Sequence, residues 1–180
     1  LKSVSEGICI GGAGFGRLYT TLTFEEILGL WAKRPCRPDF ISLYSYPYLA
    51  RSNNESRNKD RIQDPNFINS QLLMIREVLK KLYPDVPKLF LTEWGSSVSN
   101  WNQLNDSMYK GAFVLKNIID NAEYTDMMGY WMASDILAES FDAEAILHGG
   151  NGLISIDGIK KPAFYAMYFA NQLGSSLLGK

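Results

Sequence analysis

Polar and aromatic side chains follow several apolar segments of this sequence, and Glu93 is the most informative of them. It ends the run Leu89, Phe90, Leu91. A carboxylate at the end of an apolar strand is drawn toward the protein interior, where it needs hydrogen bonds or a charged partner. The residue types therefore allow two interpretations: a carboxylate that acts as nucleophile or acid, or a structural glutamate in an ion pair.

Four aromatic residues fall near the same predicted strand ends: Tyr44, Tyr46, Trp94 and Trp131. Such rings can stack on the C–H faces of a pyranose, although a single aromatic residue is more often part of the core or its rim. Asp135 follows the fourth apolar segment and could contact the same ligand or pair with a cation. The clustering of the rings around one carboxylate favours a sugar site.

Composition limits the chemistry available. The 180 residues carry 18 Lys+Arg and 19 Asp+Glu, so we expect neither nucleic acid nor an anionic membrane as a partner of this segment. One histidine and two cysteines are too few for a disulfide scaffold, a Cys/His metal site or strong support for a Ser/His/Asp triad. We expect no metal and no cofactor, and carboxylates must carry any acid–base chemistry.

The remaining features concern the chain as a whole. No apolar stretch approaches the ~20 residues that span a bilayer, and the N-terminus shows no leader pattern. The abrupt beginning at Leu1 suggests a piece of a longer protein. The sequence does not identify the cellular compartment of the protein, for which we favour the cytoplasm.

Strand and helix patterns alternate four times. Apolar strands are predicted at residues 7–11, 39–44, 88–93 and 128–132. Helices are predicted from Thr23 to about Lys33, from Pro65 to about Leu82, after an Asn105 cap, and from Pro162 to about Leu173, with a small hairpin at Asp157 and Gly158 before the last. This order predicts a parallel sheet covered by helices, either a doubly wound sheet or part of a barrel. The glycine-rich residues 11–16 lack the Walker lysine and a correctly spaced dinucleotide fingerprint.

Short motifs spread along the chain resemble glycoside hydrolase family 39, the family of β-xylosidases and α-L-iduronidases. The matching segments are Ile10-Gly11-Gly12, Asp39-Phe40-Ile41-Ser42, Ser45-Tyr46-Pro47, Thr92-Glu93-Trp94 with Ser96-Ser97, Asn105-Asp106-Ser107, Tyr130-Trp131 with Ser134-Asp135, His148-Gly149-Gly150 with Gly152-Leu153, and Lys161-Pro162-Ala163-Phe164-Tyr165-Ala166. The resemblance runs from about Gly7 to Gly174. It implies a (β/α)8 TIM-barrel glycosidase of which this chain is the C-terminal half, strands five to eight with their helices.

The resemblance also assigns roles. Glu93 matches the nucleophile of a retaining mechanism, whereas the family's acid/base is a Glu in an Asn-Glu pair after the fourth strand. The pair Asn54-Glu55 lies in a polar loop and does not qualify, so the acid/base is expected in the missing half and the piece alone should not turn over substrate. Tyr44 stands where the family usually has histidine, and Gly95 where it usually has asparagine, which weakens the case for catalysis.

An alternative parent shares the same barrel. The segment at residues 105–113 is similar to the family-39-like domain of AraC-type transcription regulators, which implies a non-catalytic sugar sensor. In both cases the expected partner is a xylose-type sugar or β-xyloside. The open edges of a half-barrel are expected to pair with the N-terminal half of the same barrel or with a second copy.

Overall fold

The computed structural model describes residues 1–16, 21–47, 64–98, 100–137, 145–174 and 176. Strands and helices alternate along the chain as β1 (Gly11–Phe15), α1 (Thr21–Ala32), β2 (Phe40–Ser45), α2 (Phe67–Leu82), β3 (Lys88–Trp94), α3 (Met108–Asn121), β4 (Met127–Tyr130) and α4 (Pro162–Ala170). Short 3-10 helices lie at Gln103–Asp106 and Asp135–Leu137. No helix of the described part is long and apolar enough to cross a membrane.

The four strands form one parallel sheet in the order β1-β2-β3-β4. Each strand is therefore added beside the previous one in the same direction. Because parallel crossovers are right-handed, this order places α1 and α2, which connect β1 to β2 and β2 to β3, on one face of the sheet. A doubly wound sheet would reverse its direction part-way, so the strand order is that of a barrel wall.

The chain divides into two compact units, the first comprising residues 1–94 and 121–130. Its core joins the sheet to two helices. The aliphatic side chains buried at 0% exposure are Ile41 and Leu43 of β2, Leu89 and Leu91 of β3, Leu28 of α1, and Ile68, Leu72, Ile75 and Leu79 of α2. Helices α1 and α2 are tied together by the Tyr83 hydroxyl, which donates to the Leu28 carbonyl over 3.0 Å, and by an ion pair between Lys81 and Glu25.

Two aspartates set the register of neighbouring strands through the same pair of hydrogen bonds. Asp39, just before β2, accepts a hydrogen bond from the Ile10 amide at 2.7 Å and returns one from its own amide to the Ile10 carbonyl. Asp126, just before β4, does the same with both backbone groups of Leu89. The hydrogen bond from Ile10 and the contact with Lys2 hold the pKa of Asp39 below its ordinary value. Each carboxylate thus fixes where its strand begins relative to the preceding strand.

The first strand lies further along the chain than its apolar pattern predicts. It comprises Gly11–Phe15, not residues 7–11, and Ile8 and Cys9 are exposed. Gly11 pairs with Phe40 so closely that a Cβ on Gly11 would lie 2.0 Å from the Phe40 carbonyl oxygen. Backbone pairing through glycines, which an apolar pattern does not report, therefore decides the position of β1.

The second unit comprises residues 95–120 and 131–180. Phe113, Val114, Met132, Ala163 and Ala166 supply its apolar core. Asn105 was predicted as the cap of α3, but it lies inside the 3-10 helix, is buried, and accepts a hydrogen bond from Lys110; α3 begins at Met108 instead.

The end of this unit follows the sequence pattern more closely. The predicted hairpin at Asp157 and Gly158 is present as an antiparallel bridge between Ile154 and Lys160, with Gly158 at φ +82°. Helix α4 begins at Pro162 as predicted and ends at Ala170, a few residues before Leu173. Proline at the first helical position needs no amide partner, which makes this start readable from sequence.

Candidate active site

Glu93 lies near the carboxyl end of β3, directly opposite Tyr44 of β2 in the parallel register. Parallel strands present their carboxyl ends at one rim of a barrel, where glycosidases and other barrel enzymes carry their chemistry. Glu93 is partly buried, neither locked in the core nor fully in solvent. The carboxylate therefore lies near the carboxyl end of its strand and is partly accessible.

Tyr46 is the immediate partner of Glu93. Its hydroxyl donates a hydrogen bond of 2.6 Å to Oε1 of Glu93, while only 3% of the tyrosine is exposed. Burial, reinforced by the bond to Glu93 and the charge of that carboxylate, raises the pKa of Tyr46 far above its usual range. The phenol consequently stays protonated and remains a donor to the carboxylate. The sequence predicts that Tyr46 contacts sugar, whereas in the structure its hydroxyl contacts the Glu93 carboxylate.

Tyr44 presents its ring at the end of the neighbouring strand. The side chain is 38% exposed and lies against the backbone that follows β1, because a Cβ on Gly16 would come within 1.8 Å of the Tyr44 hydroxyl. Thr92 fixes the strands beneath by donating to the Leu43 carbonyl over 3.0 Å. An exposed ring on a rigid strand suits a stacking or hydrogen-bonding contact with a ligand.

Trp94 corrects one prediction. It is next to Glu93 in sequence, but it is buried at 0% exposure and meets the Tyr130 ring edge-on at 5.5 Å. Glu93, the preceding residue, is by contrast only partly buried. An indole with no exposed surface offers none to a sugar, and Trp94 belongs to the core.

Asp135 corrects a second prediction. The residue is 1% exposed, and both carboxylate oxygens have partners: Oδ1 accepts from the Gly152 amide at 2.6 Å and Oδ2 pairs with Nζ of Lys161 at 3.0 Å. The carboxylate is therefore a structural group of the second unit, which is the other possibility that its position in the sequence allows.

Trp131 directly follows β4 and is 42% exposed, which leaves much of its ring open to a ligand. Its role in binding sugar stays a prediction. The polar loop at residues 48–61, including Asn54 and Glu55, and Glu139 lie outside the described residues. Cys9 and Cys36 are free and exposed. Within the described ranges, no group of three or more His, Cys, Asp or Glu side chains is arranged to hold a metal ion.

The sequence did not single out a buried ionic cluster in the second unit. Lys161 has a side chain with 0% exposure and forms ion pairs with Asp106 at 2.6 Å and Asp135 at 3.0 Å. Lys110 is also buried at 0% and donates to Asn105 at 3.1 Å. Lys161, Asp106 and Asp135 are 26 or more residues apart in the chain. No local sequence pattern therefore predicts that they lie together. His148, the single histidine, is buried beside Trp101 with ring centroids 5.8 Å apart.

Comparison with known proteins decides the family. The model of glycosyl hydrolases family 39 matches residues 1–179. The chain belongs to glycosyl hydrolase family 39. It is 28% identical over 183 residues to a β-xylosidase of Geobacillus stearothermophilus and 33% identical over 175 residues to a β-xylosidase of Caldicellulosiruptor saccharolyticus. These alignments cover 99% and 96% of this chain but 36% and 34% of the relatives, so the chain spans about a third of their length.

Solved structures agree on the fold. A monomeric β-xylosidase from Caulobacter crescentus CB15 aligns with a TM-score of 0.81 at 21% identity, covering 97% of this chain and 35% of that one. A family 39 enzyme from Xanthomonas axonopodis pv. citri aligns at 0.78 with 23% identity, over 97% and 34%. The family 39 chain is thus a partial TIM barrel, which confirms the predicted fold class; the numbering of its strands as five to eight stays a prediction.

Proposed function

We propose that this family 39 chain is the nucleophile-bearing part of a retaining β-xylosidase-type hydrolase and that Glu93 is the nucleophile. The observation that carries the proposal is the 2.6 Å hydrogen bond from the buried Tyr46 phenol to Glu93 at the carboxyl end of a parallel strand. A permanent donor stabilises the ionised carboxylate and fixes its orientation, as a carboxylate nucleophile requires. The names of the two relatives, both β-xylosidases, support the substrate class.

The proposed reaction has two steps. With Oε1 held by Tyr46, Oε2 of Glu93 attacks the anomeric carbon while the bond to the leaving oxygen breaks, and a second carboxyl group protonates that oxygen. Water, deprotonated by the same second group, then displaces Glu93 and releases the sugar with retained configuration. That carboxyl must lie about 5–5.5 Å from Glu93. We assign it to the rest of the barrel, so this part of the chain alone is inactive.

The sugar contacts follow from exposure. Tyr44 at 38% and Trp131 at 42% are the two predicted binding residues whose rings remain open. We propose for each ring by itself that it can contact a xylose-type sugar: the Trp131 indole by stacking on a C–H face of a pyranose, and Tyr44 by a hydrogen bond from its hydroxyl. Tyr46 acts on Glu93 and not on the sugar, which makes it a positioning residue.

The partner of the sheet edges is also a proposal. In the described part, β1 and β4 are the two outer strands, and each presents backbone groups along one side. Because the related β-xylosidases extend over almost three times the aligned length, we assign these edges to the remaining strands of the same barrel. A single compact monomer of the complete protein in sedimentation agrees with this; a dimer that dissociates when β1 or β4 is altered would point to a second copy.

The experiment compares two conservative substitutions in the protein with its barrel complete. Glu93→Gln removes the nucleophile at constant size and should abolish hydrolysis of an aryl β-xyloside, whereas Glu123→Gln, an exposed glutamate, should leave it unchanged. Glu93→Ala should regain turnover when azide is added, with an inverted glycosyl azide as product, because a small anion can take the vacated place. Unchanged hydrolysis by Glu93→Gln would overturn the assignment.

A second candidate is the sugar-sensing domain of an AraC-type transcription regulator. The observation in its favour is that Tyr44 and Gly95 occupy positions where the family pattern has histidine and asparagine. A sensor would bind xylose without hydrolysing any xyloside. Calorimetry with xylose, run beside the hydrolysis assay, separates the two candidates. Binding with turnover supports the hydrolase, and binding alone supports the sensor. The absence of both binding and turnover would rule out both candidates.

A further inference from the structure

Lys161, Asp106 and Asp135 form a cluster that we term the buried ion triad. Nζ of Lys161 lies 2.6 Å from Oδ1 of Asp106, 3.0 Å from Oδ2 of Asp135 and 2.7 Å from the Gly150 carbonyl oxygen. The contacts with Asp135 and the Gly150 carbonyl are hydrogen bonds, and the contact with Asp106 is an ion pair. Burying an ammonium group is costly unless charged or polar partners surround it. The contacts of Lys161 therefore hold its partners in fixed positions around it.

The triad holds the loop at residues 149–152. The carboxylate oxygens that do not face Lys161 accept from this loop: Oδ2 of Asp106 from the Gly149 amide at 2.6 Å, and Oδ1 of Asp135 from the Gly152 amide at 2.6 Å. With the Gly150 carbonyl, three backbone groups of one short loop are tied to three charged side chains. A Cβ on Gly150 would lie 2.3 Å from Oδ1 of Asp135, so the approach requires a glycine there.

The loop in turn holds the segment that carries Trp131. The Met132 amide donates to the Asn151 carbonyl at 3.4 Å, and the Leu153 amide donates back to the Met132 carbonyl at 3.0 Å. The ladder continues from the Ile154 amide to the Ala133 carbonyl at 3.2 Å and from the Asp135 amide to the Ile154 carbonyl at 2.9 Å. Residues 132–135 are therefore fixed at both ends, by the loop and by the triad itself.

We propose that Lys161 is a positioning residue for sugar binding, acting through the loop at residues 149–152 to hold the exposed indole of Trp131. This rests on the proposed function, in which Trp131 contacts the sugar. Trp131 is bonded directly to Met132, the first residue of the ladder, so the orientation of its ring depends on that ladder. Stacking on a pyranose tolerates little tilt or displacement of the ring.

The test is a double-mutant cycle in the protein with a complete barrel, with xylose as the ligand in calorimetry. Lys161→Met keeps the length of the side chain and removes its charge, and it should weaken xylose binding about tenfold. In a Trp131→Ala background the same substitution should change the affinity by less than about twofold, since the ring through which it acts is gone. Lys80→Met, an exposed lysine of α2, serves as the matched control and should leave binding unchanged.

Three outcomes are decisive. If wild-type protein neither binds xylose nor hydrolyses a β-xyloside, the proposed function fails and this inference fails with it. If wild-type protein binds xylose and the Lys161→Met variant binds it equally well, Lys161 does not act through Trp131. The same conclusion follows if the substitution weakens xylose binding by the same factor with and without the Trp131 ring. If Lys161→Met fails to fold, Asp106→Asn takes its place in the same double-mutant cycle, because it removes one anion from a partly accessible position. Its effect on xylose binding should likewise depend on the presence of Trp131.

Discussion

The hydroxyl of Tyr46 donates to Oε1 of Glu93 over 2.6 Å, and this bond joins a residue beyond the end of β2 to the carboxylate of β3. The donor is nearly inaccessible, and the bond connects two neighbouring strand ends of a barrel. The relationship supports the proposed role of Glu93, because a carboxylate oriented by a neutral donor is suited to nucleophilic attack.

Tyr46→Phe tests that relationship. Removing the hydroxyl should lower kcat of β-xyloside hydrolysis about 100-fold, the loss typical of one donor to a reacting group, with little change in KM. Tyr83→Phe is the matched control, because Tyr83 is equally buried but donates to the Leu28 carbonyl. It should cost about 1 kcal/mol of stability and leave kcat unchanged. Equal effects of the two substitutions on kcat would deny Tyr46 a role at Glu93.

Lys110 gives a prediction about pH. Burial and the charge of Lys161 lower the pKa of Lys110 to about 7, with Asp106 acting in the opposite direction. Asn105 and Asn151 face the same ammonium group. Because the unfolded lysine keeps its ordinary pKa near 10.5, the unfolded chain binds more protons between these values, and stability rises with pH across that window.

Lys110→Met should remove this rise. The free energy of unfolding in urea, measured from pH 7 to pH 9, should increase in wild type relative to the variant by up to about 1.4 kcal/mol per pH unit. Lys116→Met, on the same helix but half-exposed, is the control and should follow wild type. Parallel pH curves for wild type and Lys110→Met would show that Lys110 is protonated alike in the folded and unfolded states.

Two leucines of α2 test the account of the core. Leu79 is 0% exposed and Leu73 is 40% exposed on the same helix. Leu79→Ala should destabilise the protein by about 3 kcal/mol, since it leaves a cavity in the core, and Leu73→Ala by less than about 1 kcal/mol. The comparison is made by urea unfolding. Similar costs for both would mean that α2 does not present this face to the core.

Much of the fold follows from sequence because alternation of apolar strands and amphipathic helices is a local pattern. The position of Glu93 is visible for the same reason, since a charge that ends an apolar run stands out. The first strand was misplaced because its pairing depends on glycine backbones meeting Phe40, and the apolar Ile8 and Cys9 remain outside the sheet.

The errors at the site have a common physical cause. Proximity in sequence to Glu93 or to a strand end does not say how deeply a side chain is buried, and Trp94 is fully buried whereas Glu93 beside it is only partly buried. Asp135 was predicted at a strand end, but β4 ends at Tyr130 and Asp135 begins a 3-10 helix. Its partners Lys161 and Asp106 come from distant parts of the chain. Long-range ion pairs such as these become visible only when the chain is folded.

The most direct measurement is the identification of the residue that becomes glycosylated. The protein with a complete barrel is incubated with a 2-fluoro xyloside that carries a good leaving group. The leaving group lets the covalent intermediate form, and the fluorine slows its hydrolysis. The labelled peptide is then sequenced by mass spectrometry. We predict one sugar per chain, attached to Glu93, and no labelling of Glu93→Gln. A sugar attached to another carboxylate, or turnover with inverted configuration, would contradict the account.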